Sequence, residues 1–298
     1  MSSRFSLSRI WTIATASFTQ LARMKVFYFL VLFALLLVGV NFIRMNEIMG
    51  PEIQGMLELI SLKSISLGAM QLFAVFFAIA ATSLLIPRDM EDRTLYTILC
   101  KPVPRLDYLI GKWLGVVLLI GVCLAVMDLA LSINLHFRTE TVVAEQAARM
   151  SEVGFDAASQ DRFLDRVREQ GPSLSLQWGV ATIWLEAMVM AAVALLISTV
   201  SSSTLFAMVA SFCVYAIGLF QADARAVVLE GDSSWFQEAI SRVVAYLFPD
   251  LQFYGVVDAT ARGEALLTAD FARLAGISGV YVGIYLVLAW FMFSKKEF

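Results

Sequence analysis

Residues 67–86 read LGAMQLFAVFFAIAATSLLI, twenty positions without an Asp, Glu, Lys or Arg. At about 1.5 Å per residue, such a run crosses the roughly 30 Å hydrocarbon core of a bilayer as one helix. It shows no sustained two-residue alternation, so it does not read as a barrel strand. Five other long runs are predominantly apolar: 26–43, 109–131 (interrupted by Lys112 and Asp128), 180–200 (carrying Glu186), 205–220 and 275–293. A helix satisfies its own backbone hydrogen bonds in lipid, as an open strand cannot. The expected fold class is therefore an all-α integral membrane protein, a single transmembrane domain over 1–298 with six transmembrane helices. The external segments are then 44–63, 134–178 and 221–274.

Composition agrees. Of the 298 residues, 59 % are hydrophobic and 16 % charged, with a mean hydropathy of +0.77. Soluble domains run at about 45–50 % and 25 %. That apolar excess needs lipid to cover it. Disorder is excluded by the same figures. A net charge of −3 offers no basic field for nucleic acid. Three cysteines do not make a disulfide framework.

Lys and Arg in short flanks set orientation. The N-terminal segment carries Arg4, Arg9, Arg23 and Lys25; the segment between spans two and three carries Arg88, Arg93, Lys101, Arg105 and Lys112; the C-terminus carries Lys295 and Lys296. These hold half of the basic residues in a small part of the chain, so that side is expected to be cytoplasmic, with both termini inside. The first 25 residues do not read as a cleaved signal, because no small-residue cleavage site follows 26–43. Ile10, Trp11, Ala14, Phe18 and Leu21 share a helical stripe. That pattern fits an N-terminal interfacial helix or a helix packed on the bundle.

Chemical motifs are few. No phosphate-cradling G-x-x-x-x-G-K-[ST], no H-E-x-x-H and no G-x-S-x-G occurs. The single histidine, His136, has no cysteine beside it and makes a poor metal site. Neither a catalytic residue nor a metal ligand is expected. Two acids, Asp128 and Glu186, sit inside apolar runs, where a charge is expensive. They read either as lining of a translocation path or as hydrogen-bonded acids sealing span three to span four. The 134–178 segment is rich in charge and short of Gly and Pro, which predicts one or two exposed helices; their charged surface reads either as an ordinary solvated face or as a site for an extracytoplasmic partner.

Between spans two and three lies IPRDMEDRTLYTILCKPVPRLDYLIGK, residues 86–112. Pro87 is expected to end helix two. Asp89, Glu91 and Asp92 then load the first turn of a new helix, where anions complement the dipole. Leu95, Ile98 and Leu99 give that helix an apolar face. Lys101 sits in its last turn, and Pro102 and Pro104 stop it. A short, capped, rigid helix on the cytoplasmic face suits transmission of force from a soluble partner. It also fits an ordinary interfacial helix.

This segment resembles the cytoplasmic loop of type-2 ABC transporter permeases, whose pattern is roughly R-E-x-E-x-G-T-[LI]-x-x-[LI]-[LF]-x-[KQ]-P-[VI]-x-R followed by Gly-Lys. The matching residues are Arg88, Glu91, Thr94, Leu95, Ile98, Leu99, Lys101, Pro102, Val103, Arg105, Gly111 and Lys112. Asp89 stands for the usual Glu, and Arg93 for the usual Gly. The layout agrees along the whole chain, down to the Phe-Ser-Lys-Lys-Glu-Phe tail. The resemblance implies a permease, the non-catalytic membrane subunit of an ABC exporter in a bacterial inner membrane. Two permease chains would form a dimer and pair with a separate ATP-binding cassette ATPase. ATP and Mg would bind that partner, with no cofactor in this chain. The helix at 88–100 would be the coupling helix, with Arg88, Asp89, Glu91, Asp92, Thr94, Leu95, Ile98, Leu99, Lys101, Pro102 and Arg105 engaging the ATPase. Two other classes stay open: an intramembrane enzyme using Asp128 and Glu186, and a membrane scaffold without transport.

Overall fold

The computed structural model describes residues 6–24, 55–91, 103–153, 156–201, 203–221, 248–255, 257–263 and 268–295, with isolated positions between 28 and 39. Most of the 26–43 run and all of 92–102 lie outside the described residues. Among the described residues the regular structure is helical throughout. In chain order it comprises α1 (Leu7–Ala22), α2 (Met56–Glu91), α3 (Arg105–Val153), α4 (Ala157–Glu169), α5 (Leu174–Val200), α6 (Thr204–Leu219), a 3-10 turn (Gln252–Tyr254), α7 (Val257–Ala261) and α8 (Thr268–Lys295). Four stretches are long and apolar enough to cross a membrane: Met56–Met90, Arg105–Glu152, Ser159–Val200 and Thr268–Lys295. α6 is apolar but shorter.

α2 and α5 form the centre, with α3, α6 and α8 around them. Lipid tails are as apolar as leucine, so association inside a bilayer relies on close packing rather than on expulsion of water. The sequence supplies small residues for this. Ala187, Ala191, Ala192 and Ala194 of α5 are buried, as are Ala69, Ala74, Ala78 and Ala81 of α2. Two tryptophans stitch α3 to α5 reciprocally. Trp113 Nε1 donates to the Met188 carbonyl and Trp184 Nε1 to the Val117 carbonyl, each at 3.0 Å.

Helix lengths depart from the apolar runs. α3 has 49 residues, about 73 Å at 1.5 Å each, more than twice the hydrocarbon thickness. α2 begins at Met56, well before its apolar run. The expected external segments 44–63 and 134–178 are thus largely helical where described. Polar pairs hold these projections together. Arg138 of α3 is ion-paired with the buried Glu58 of α2. Lys63 Nζ donates to Gln170 Oε1 at 2.6 Å, and Gln170 Nε2 reaches the Arg262 carbonyl at 3.5 Å.

A second departure concerns Pro87. Helix two does not end there; α2 runs through Pro87 to Glu91. Asp89 and Glu91 therefore occupy a last turn, where the dipole disfavours acids. A buried cation compensates at Asp89, as described below.

At 16 residues, about 24 Å, α6 is several ångströms shorter than the roughly 30 Å hydrocarbon core. Its terminal carbonyls are met inside the protein. Leu251 N donates to the Gly218 carbonyl at 3.2 Å and Gln252 Nε2 to the Leu219 carbonyl at 2.8 Å. The Tyr254 hydroxyl donates in turn to Ser278 of α8 at 2.6 Å, because Ser278 itself donates to the Leu274 carbonyl.

Candidate functional site

The described residues on either side of 92–102 converge with α1 and the end of α8. Lys112 Nζ lies 2.7 Å from Asp89 Oδ2, with both side chains at most 6 % exposed. The Tyr108 hydroxyl donates to the same Asp89 oxygen at 2.6 Å. Lys112 also donates to Gln20 Oε1 of α1 at 3.3 Å. Desolvating two charges is offset only where their remaining polar atoms are bonded, and Tyr108 and Gln20 do this.

Around this pair the helices are tightly apposed. A Cβ at Gly111 would lie 2.7 Å from Ile13 Cβ, and one at Gly115 would lie 2.7 Å from the Ala14 carbonyl oxygen. The two glycines, one turn apart, let the backbone of α1 lie directly on α3. α1 buries Ile10, Ala14, Ser17 and Leu21 there. Trp11, on the expected stripe, instead stands exposed. α1 is thus packed on the bundle. Arg9 adds an ion pair to the buried Asp107 at 3.6 Å.

Arg105 opens α3 and closes α8. Its Nη1 donates to the carbonyls of Phe293 at 2.8 Å and Ser294 at 2.7 Å. The Tyr108 ring stacks on Phe293, with centroids 6.0 Å apart and planes 15° apart. The end of α2, the start of α3, α1 and the end of α8 therefore meet in one junction.

Of the expected coupling residues, Arg88, Asp89 and Arg105 are described and lie at this junction, with Arg88 in the last turn of α2. Glu91 is helical, its side chain outside the described set. Asp92, Thr94, Leu95, Ile98, Leu99, Lys101 and Pro102 lie outside the described residues. Gln20, Asp107 and Tyr108 are additions that pattern reading misses. The Gly111/Gly115 spacing is the one local signal pointing to close helix contact.

The two intramembrane acids do not meet. Glu186 is fully buried and its Oε2 accepts from Gln71 Nε2 of α2 at 2.8 Å, while Oε1 has no hydrogen-bond partner among the described residues. Asp128 accepts from Gln177 Nε2 at 3.3 Å, joining α3 to α5. Gln177 and Glu186 are nine residues apart on α5, about 13 Å along the axis. These two carboxylates are thus not brought together.

At the far end a cleft of about 470 Å³ runs between α3 and α4, lined by His136, Glu140, Val143, Leu164 and Arg168 among others. His136 Nε2 stands 3.9 Å from Glu140 Oε1, both exposed. Among the described residues no group of His, Cys, Asp or Glu could hold a metal ion.

The family model described as ABC-2 family transporter protein matches residues 11–298. Comparison with curated proteins returned no match.

Proposed function

Because the chain belongs to the ABC-2 transporter family, we propose that it is the membrane permease subunit of an ATP-driven exporter, coupled to a separate ATPase through residues 88–101. A membrane subunit of an ABC transporter is what family membership itself supports. The observation that carries the finer reading is the junction. The residues that flank 92–102, Asp89 before it and Arg105 and Tyr108 after it, are tied to one another or to further helices. Force applied to that segment reaches α1, α2, α3 and α8 at once.

In this reading the chain has six spans, with 26–43 as the first and α6 as the fifth, and both termini face the cytoplasm of a bacterial inner membrane. Two permease chains flank one path. ATP and Mg act in the ATPase, which closes around ATP and shifts the coupling segments. A ligand shifts a conformational equilibrium only through differential contact with its two states, and here the partner supplies that difference. Glu186 and Asp128 remain the candidates for lining that path, each bonded to a glutamine of a neighbouring helix. The separation of the two acids counts against an intramembrane enzyme.

The test is purification of the tagged chain with its native membrane partners in mild detergent, assayed for ATP hydrolysis. A co-purifying ATPase, lost on Leu95→Asp or Glu91→Lys while the bundle stays folded, supports the proposal. A well-behaved preparation without ATPase, or one whose ATPase survives both variants, removes the coupling assignment.

A further inference from the structure

α8 begins at the end of the bundle away from the Arg105 cap, and its first two turns carry two charges. Asp270 and Arg273 are exposed, and among the described residues neither makes an ion pair or a side-chain hydrogen bond. An acid in the first turn of a helix suits the dipole, but an arginine one turn later gains nothing from it. Both residues line one cavity of about 200 Å³. Phe253, Phe271, Leu274 and Ile277 make most of the remaining wall, which is apolar apart from Thr182. The Thr182 hydroxyl already donates to the Trp178 carbonyl at 2.9 Å. The cavity therefore presents one anion and one cation beside an apolar, aromatic wall.

The surroundings place this cavity at a lipid boundary. Its charges stand just before the apolar run 275–293. The Trp178 and Phe271 rings pack with centroids 4.6 Å apart, and tryptophan gathers at the headgroup level of a bilayer. Beyond the cavity, Ile277, Val280, Ile284 and Leu288 follow one side of α8 at helical spacing, and the last three are exposed. Ile277 and Leu288 are eleven residues apart, about 16 Å along the axis. That is close to one leaflet, half of the roughly 30 Å core. A soluble zwitterion would use the two charges and leave this strip bare. Residues three apart on a helix have Cβ atoms about 5–6 Å from each other, a separation that a phosphate and an ammonium joined by an ethyl linker can bridge.

We propose that Asp270 and Arg273 form a headgroup-selective site for one phospholipid bearing a primary ammonium. Arg273 takes the phosphate, Asp270 takes the ammonium, and an acyl chain lies along the exposed strip of α8. The guanidinium fork suits phosphate oxygens, and a carboxylate accepts from ammonium N–H groups. A glycerol headgroup leaves Asp270 without a cation, and a choline headgroup brings a cation with no N–H to donate. This lipid resides on the outer surface of α8 and is not cargo. The proposal takes from the permease reading only that α8 crosses the membrane, and it needs no ATPase.

The experiment uses the full chain in phosphatidylcholine nanodiscs holding a trace of phosphatidylethanolamine with a diazirine in one acyl chain. After illumination, the labelled peptides are mapped by mass spectrometry. The expected result is label concentrated on residues 271–288. Unlabelled phosphatidylethanolamine should displace it about threefold better than phosphatidylglycerol does, the order of one exposed ion pair. Asp270→Asn should abolish that preference while labelling persists, and Arg273→Gln should reduce labelling by about threefold. A merely structural role for Asp270 would not change which headgroup competes. Equal competition by both lipids in the wild type shows ordinary boundary lipid and overturns the proposal, as does a preference that survives Asp270→Asn. Label absent from 271–288 shows that another protein segment or a second copy covers this side of α8, and also overturns it. The assay contains no ATPase, so failure to find that partner removes the permease reading and leaves this site standing.

Discussion

Arg105 meets Phe293 twice: its Nη1 donates to the Phe293 carbonyl at 2.8 Å, and its guanidinium lies 5.9 Å from the centre of the same residue's ring. The carbonyls of Phe293 and Ser294 belong to the last turn of α8, where no intrahelical donor is available and the dipole is negative. α3 therefore caps α8 with a cation. Charge-assisted hydrogen bonds contribute about 1.5–3 kcal/mol. Arg105→Gln is expected to lower stability by about that amount, read as a lower midpoint in thermal unfolding followed by tryptophan fluorescence. Arg105→Lys is expected to recover only part, since an ammonium lacks the planar fork. An unchanged midpoint in Arg105→Gln would remove the capping role.

Gly115 tests how closely α1 lies on α3. A Cβ there would meet the Ala14 carbonyl oxygen and Ser17 Cβ, each at 2.7 Å. The first of these is backbone and cannot rotate aside. Gly115→Leu is expected to cost about 1–3 kcal/mol by overpacking, or to lift α1 off. Ser17 is 1 % exposed, so a cysteine at position 17 should resist a maleimide with Gly115 present and react once Leu replaces it. Gly276 of α8 has nothing within 4 Å of an added Cβ. Gly276→Leu is the control and should leave position 17 unreactive. Equal reactivity in the two variants would contradict the close contact.

What can be read from the sequence follows from where each signal resides. The runs 67–86, 109–131, 180–200 and 275–293 stand out because lipid demands twenty or so apolar residues in a row, a local requirement. The projections at 56–66 and 132–153 do not stand out. Their stability comes from Glu58 meeting Arg138 and Lys63 meeting Gln170, partners 80 and 107 residues apart. Pro87 misleads for the same reason. A proline and three acids read as a helix boundary, and only Lys112, 23 positions beyond Asp89, makes that acid acceptable in the last turn. At the junction, Arg88, Asp89 and Arg105 are visible through family resemblance. Gln20 and Tyr108 carry no motif, and their role exists only in the folded arrangement.

Glu186 and Gln71 offer a test of a buried polar contact in the bundle. The Glu186 side chain is inaccessible and its bond to Gln71 joins α5 to α2 at 2.8 Å. Glu186→Gln keeps an acceptor for the Gln71 amide in a side chain of the same shape. It is expected to stay within about 1 kcal/mol of wild type, the worth of a typical bond. Glu186→Ala leaves that amide without its partner and opens a void, so it should cost at least about 1–3 kcal/mol. Thermal unfolding of both variants in one detergent decides. If Ala is tolerated as well as Gln, the pair does not hold α5 to α2.

Orientation follows from the distribution of charge, and labelling can read it directly. α4 carries Asp161, Arg162, Asp165, Arg166, Arg168 and Glu169, a balanced set whose translocation is not opposed by a basic excess. The end where α1, Arg105 and Lys295 gather is dominated by cations in short flanks, which are retained inside. Asp161 and Ser203 are both exposed, the first on α4 and the second in the turn between α5 and α6. α5 runs from one of these ends to the other, so the two positions should lie on opposite sides. In a cysteine-free background, Asp161→Cys should react with a membrane-impermeant maleimide in intact cells. Ser203→Cys should react only after permeabilisation. Reaction at 203 and not at 161 in intact cells would place the 92–102 segment outside, out of reach of any ATP-binding partner, and would end the coupling proposal. Reaction at both in intact cells would show that α5 does not cross the membrane.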